Sequence, residues 1–93
     1  MVIAILGLGK VGLSLARYFY GQDEEVWGID DNKNLAQINP SIRACTTKLF
    51  LGGEVPPLAP VQRFFISPGV DPGHPAAQAA VERGLLVEGE LCM

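Results

Sequence analysis

The sequence predicts an α/β fold: an open parallel sheet of about five strands, ordered 3-2-1-4-5, with helices on both faces. Three observations carry that prediction. A short apolar run, VIAIL (2–6), leads directly into GLGKVG and then into apolar residues at helical spacing. Further apolar runs of strand length recur with helix-forming stretches between them, the alternation of a parallel sheet with crossovers. The chain has 93 residues, 48% of them hydrophobic and 18% charged, which suits one small globular domain.

The elements follow in order. VIAIL is continuous rather than alternating, as a strand buried on both faces should be. Val11, Leu15, Ala16 and Phe19 recur on one helical face, so residues 10–20 form an amphipathic helix, with Gly21 as its stop. EVWGID (25–30) is a second strand and NLAQI (34–38) a short helix. Pro40 closes that segment, and IRAC (42–45) reads as the third strand. Gly52-Gly53 with Pro56, Pro57 and Pro60 forbid a long element over 46–60, which reads as a loop with one helical turn. VQRFFIS (61–67) is strand four. A helix opens at Pro75, where a missing N–H costs nothing, and runs to about Arg83 before Gly84 stops it. LLVE (85–88) is strand five. GELCM then reads as the start of something further, so the chain is expected to be one domain of a longer protein.

Composition excludes several classes. The formal net charge is −3 and the seven Lys and Arg are scattered, so neither a nucleic acid nor an anionic membrane is an expected partner. The two cysteines, Cys45 and Cys92, have no metal-ligand spacing and read as idle thiols in a reducing compartment. No apolar run is long enough to span a bilayer, and the first lacks the basic flank of a signal peptide, so the cytoplasm is the expected location. The oligomeric state is left open.

The chemistry lies at two places. Gly7-x-Gly9-x-x-Gly12 follows a strand and opens a helix, the context a dinucleotide fingerprint requires. Gly7 permits the tight turn, Gly9 lets a diphosphate approach the backbone, and Gly12 lets the helix pack close. Helix-start N–H groups then face the anion, with Lys10 beside it. Asp30 ends strand two, 18 residues after Gly12. An acid there accepts hydrogen bonds from a ribose diol or from the imide N–H of uracil. Loop and acid together call for a diphosphate-containing nucleotide and leave open which one. Asp31 is a second acceptor or a solvated turn charge. The loop is no P-loop, because Leu13 stands where the phosphate-binding lysine would be.

The second place is the corner Ser67-Pro68-Gly69 at the end of strand four. In the order 3-2-1-4-5 the crevice lies between the carboxyl ends of strands one and four. The corner is then the opposite lip to the glycine loop. Pro68 fixes its own φ and holds Ser67 extended, and Gly69 leaves no side chain over the cleft.

ISPGV, then HP six residues after Pro68, a small-residue helix, Gly84 and a strand running into GE-L resemble the amino-terminal domain of the Mur ligases, over essentially the whole chain. The branch most resembled adds D-glutamate to UDP-N-acetylmuramoyl-L-alanine. The resemblance implies a UDP-binding, Rossmann-like first domain of a three-domain ligase. Gly9, Lys10, Val11 and Gly12 would lie along the diphosphate, Asp30 would meet the uracil with help from Asp31 and Asn32, and Ser67, Pro68 and Gly69 would flank the nucleoside. ATP and magnesium would bind a central domain and D-glutamate a third, the amide forming through an acyl phosphate. This segment alone would hold one substrate and carry no catalytic residue or cofactor. Val11 departs from the Ser or Thr that members often carry, and Asp31 and Asn32 stand where some have Thr and Arg. His74 matches the family's HP and reads as a structural start to its helix. Two alternatives stay open: a nicotinamide- or adenine-nucleotide-binding regulatory module of the kind attached to transporters, and the nicotinamide domain of a dehydrogenase.

Overall fold

Period-two alternation on a sheet covered from both sides sets the frame of the molecule. The computed structural model describes residues 1–71 and 73–89. Its strands are β1 (Val2–Leu6), β2 (Glu25–Asp30), β3 (Lys48–Leu51), β4 (Arg63–Ile66) and β5 (Val87–Gly89). They form one sheet in the order β3-β2-β1-β4-β5, every neighbouring pair parallel. This is the order the sequence predicts. The helices are α1 (Lys10–Gly21), α2 (Leu35–Ile38) and α3 (Pro75–Glu82), with a 3₁₀ helix at Pro40–Cys45.

Successive strand residues feed two separate cores. Ile3, Ile5, Val26 and Phe65 pack with Leu13 and Ala16 of α1, Ala36 of α2 and Ile42. Ala4, Leu6, Trp27, Ile29 and Phe64 pack with Ala76, Ala77 and Ala80 of α3 and with Leu58 and Val61. Alanines on α3 let that helix lie close on the sheet. At the β4–β5 edge the Arg63 guanidinium makes two bonds to the Glu88 carboxylate, 2.7 and 3.1 Å. The same guanidinium lies over the rings of Phe65 and Phe19, at 4.9 and 5.5 Å.

Residues 40–51 differ from the expectation. IRAC is not a strand. Pro40 occupies the first turn of the 3₁₀ helix, and Thr46 closes its end by donating from Oγ1 to the Ile42 carbonyl at 2.7 Å. The third strand comes later, at KLFL, inside the stretch expected to be a loop. Thr47 seats it: its N–H donates to the Val26 carbonyl at 2.6 Å, and its Oγ1 accepts from the Val26 N–H at 3.0 Å. The predicted stop of α1 is also shifted. Gly21 is still helical, and the left-handed residue is Asp23, with φ +62°. Strands four and five are shorter than the expected 61–67 and 85–88. Gly84 does end α3 in the left-handed region, at φ +79°. The continuation expected from GELCM and the reading of Cys92 lie outside the described residues. Cys45 is buried, and that burial raises its thiol pKa against a smaller opposing pull from Arg17.

Candidate functional site

β1 and β4 are neighbours and parallel, so the chain leaving each emerges at the same sheet edge. There Gly7 turns at φ +91°, its N–H donating to the Ile29 carbonyl at 2.7 Å. A Cβ on Gly7 would stand 2.6 Å from Val70 Cγ2 and 3.0 Å from Ser67 Cβ. The loop therefore touches the corner after β4, and only glycine fits. Ser67, itself buried, donates from Oγ to the Gly7 carbonyl at 2.6 Å. Gly12 is tighter still, since its Cβ would lie 1.9 Å from the Gly7 oxygen. These contacts join the two lips at their base.

Above that junction is a cavity of about 320 Å³, lined by Gly7, Gly9, Lys10, Val11, Asp30, Ser67, Pro68, Gly69 and Val70. Eight of the ten residues expected at a nucleotide site line this cavity or the smaller one beside it. Gly9 caps α1 with extended backbone and has open space where a Cβ would be. No side chain caps this helix and no acid lies in its first turn. Lys10 and Val11 open the helix at the cavity wall. Gly12 is buried beneath the loop and shapes it without lining the space. Pro68 and Gly69 form a turn closed by the Val70 N–H on the Ser67 carbonyl at 3.0 Å. Gly69 does not adopt positive φ, so glycine there is explained by the bare lip and not by the turn.

Asp30 does more than line the cavity. Its Oδ2 accepts from the Leu8 N–H at 2.8 Å and its Oδ1 from the Asn32 N–H at 2.9 Å. The carboxylate thereby ties the glycine loop to the turn after β2. Asn32 stays on the exposed rim, its own oxygen accepting from the Asn34 N–H at 3.0 Å, and lines neither cavity. Asp31 lines a smaller annex of about 70 Å³ with Leu6, Gly7, Asp30, Val70 and His74. Sequence reasoning missed Val70, which packs against Gly7, and the place of His74 in the annex. A separate hollow of about 280 Å³, lined by Arg43 and residues 46–49, sits at the start of β3. Its threonine hydroxyls are engaged within the fold, and ligands of open α/β sheets gather at the other, carboxyl, edge.

Known proteins match along nearly the whole chain. The family described as "Mur ligase MurD-like, N-terminal domain" matches residues 1–89. A UDP-N-acetylmuramoylalanine–D-glutamate ligase from Synechococcus sp. (strain JA-3-3Ab) is 35% identical over 88 residues, covering 92% of this chain and 19% of that protein. Proteins of the same name from Nitrosococcus oceani and Hahella chejuensis are 35% and 36% identical, over 94% and 83% of this chain and 20% and 18% of theirs. The chain thus spans about a fifth of the length of the curated relatives it matches. Matched over residues 1–89, the chain belongs to the MurD-like family of Mur ligase N-terminal domains.

Proposed function

We propose that this chain binds the UDP moiety of UDP-N-acetylmuramoyl-L-alanine, as the first domain of an ATP-dependent ligase that adds D-glutamate in peptidoglycan synthesis. The observation that carries the reading is the junction of the two lips. The Ser67–Gly7 bond holds the glycine loop and the corner around one cavity. An anion in that cavity meets the uncapped start of α1, where helix N–H groups and the dipole favour negative charge by about 0.3–1 kcal/mol. Gly9, Lys10 and Val11 would lie along the diphosphate, with Gly12 shaping the loop from beneath. Asp30, Asp31 and Asn32 would face the uracil, and Ser67, Pro68 and Gly69 the nucleoside.

ATP, magnesium and D-glutamate belong in this reading to further domains of the parent ligase. Among the described residues no three His, Cys, Asp or Glu side chains gather as a metal site would need, and Leu13 replaces the P-loop lysine. This segment by itself is inactive, and the parent enzyme works in the cytoplasm. No described helix is long and apolar enough to cross a membrane.

A nicotinamide- or adenine-nucleotide site is the competing reading. Val11 favours it, because no hydroxyl stands there to bond a phosphate oxygen. The two separate in one experiment: thermal-shift and ligand-observed NMR titrations with UDP, UMP, NAD and AMP side by side. UDP is expected to bind best. Preference for NAD or AMP would overturn the assignment.

A further inference from the structure

The two adjacent carboxylates at the end of β2, Asp30 and Asp31, are held in different ways. Each oxygen of Asp30 already accepts a backbone N–H. Asp31 accepts a single bond, to Oδ1 from His74 Nε2 at 2.7 Å, and no other hydrogen bond reaches its side chain among the described residues. Its side chain is 66% exposed while that of His74 is 10% exposed. An exposed aspartate on a turn ordinarily samples several rotamers. This one is pinned by a nearly buried ring 43 positions away.

The ring's own geometry fixes which nitrogen carries the proton. His74 caps α3, its Nδ1 accepting from the Ala76 N–H at 3.0 Å. A nitrogen that accepts must present its lone pair, so the proton resides on Nε2 and is donated to Asp31. The relay runs from the Ala76 amide, through the imidazole, to the carboxylate. It spans from α3 to the end of β2 and borders the annex beside the main cavity.

We infer that His74 is a positioning residue that sets Asp31 as the base-reading acceptor of the nucleotide site. The inference rests on the uridine reading above and deepens it. A carboxylate offers lone pairs only. It accepts from the ring N–H of uracil, whereas at that position cytosine presents a ring-nitrogen lone pair that repels it and leaves only the exocyclic amino group to donate. Asp30 braces the loop, and Asp31, held by one oxygen with the other unengaged, selects the base.

The test compares UDP and CDP binding by the 93-residue chain and its variants. The wild-type chain is expected to favour UDP by about tenfold, the scale of one hydrogen bond made or denied. His74→Asn keeps an oxygen able to cap Ala76 but falls short of Asp31. It should melt close to wild type while its UDP:CDP ratio falls toward unity. Asp31→Asn, whose amide both donates and accepts, should lose the same discrimination. The double variant should lose no more than either single one. A merely structural His74 would leave the ratio at its wild-type value in His74→Asn, and that result overturns the inference. Equal binding of UDP and CDP by the wild-type chain also overturns it. A ¹⁵N spectrum of the imidazole needs no nucleotide: the Nε2–H tautomer supports the relay, and the Nδ1–H tautomer overturns it. Stronger binding of NAD or AMP than of UDP instead overturns the nucleotide assignment of the preceding section, while the ¹⁵N spectrum still decides the relay.

Discussion

Helices α1 and α3 follow adjacent parallel strands and both begin at the carboxyl edge of the sheet, yet their first turns are opposite in chemistry. At α3 the end is closed. His74 accepts the Ala76 N–H, and Pro75 at the first helical position has no N–H to satisfy. At α1 the end is open. Its cap is Gly9, no side chain bonds its amides, and the space before it is empty of protein. Helix starts carry unsatisfied donors that must find a partner. One helix here finds it in a side chain of the fold, and the other finds none there; in the function proposed above, an anion supplies it. The difference separates a closed helix start from an open one, although both were equally visible as helices.

Substitutions can break or sharpen that contrast. The largest effect should come from Gly12→Ala, beneath the open end. Its Cβ would sit 1.9 Å from a backbone oxygen, which no side-chain movement relieves. Chemical denaturation should show a loss of about 3 kcal/mol or more, at the upper end of overpacking costs. Asp30→Ala comes next. It strips acceptors from the Leu8 and Asn32 amides, and stability should fall by about 1–3 kcal/mol. UDP binding should weaken in the same variant. Asp30→Asn, which keeps one acceptor oxygen, should recover part of the stability. The smallest effect on folding is expected at Gly9→Ala, because no atom lies within 4 Å of the new Cβ. Stability should stay within about 0.5 kcal/mol of wild type, while UDP affinity falls about tenfold, or roughly 1.4 kcal/mol. If Gly9→Ala bound UDP normally, the open end of α1 would not be the diphosphate seat.

Much of this frame was legible in the sequence, for identifiable reasons. β1, α1 and β2 announce themselves by continuous apolar runs, glycine spacing and helical periodicity, and Pro75 and Gly84 bracket α3. Those signals are local, and the strand order follows from them. The third strand was not legible. Its four residues are exposed or only partly buried, so KLFL shows neither alternation nor a long apolar run. What places it is the Thr47–Val26 pair, a contact across 21 residues. Pro40 and Thr46 meanwhile convert the strand-like IRAC into a 3₁₀ turn. The end of α1 was misplaced by one residue and its left-handed residue by two, because Asp23, and not Gly21, takes that conformation.

The candidate site shows the same division. Spacing located the glycine loop and Asp30, and the proline-glycine corner named the second lip. Spacing does not say which donor a carboxylate faces. Asp30 reads from sequence as a ligand acceptor, and the structure adds its tie to the loop. Likewise His74 reads as a helix start, which it is, but its second nitrogen reaches a residue on another strand's end. Such bonds form between segments far apart in sequence, and no local pattern encodes them.

The most direct test is a ¹⁵N–¹H correlation spectrum of the chain during titration with UDP. Amides of residues 8–12 at the start of α1 and of residues 30–32 should shift together, with those of residues 76–78 at the capped start of α3 largely unmoved. Shifts centred on the α3 start, or displacement of UDP by lower concentrations of NAD or AMP, would contradict the assignment of the open end to a uridine diphosphate.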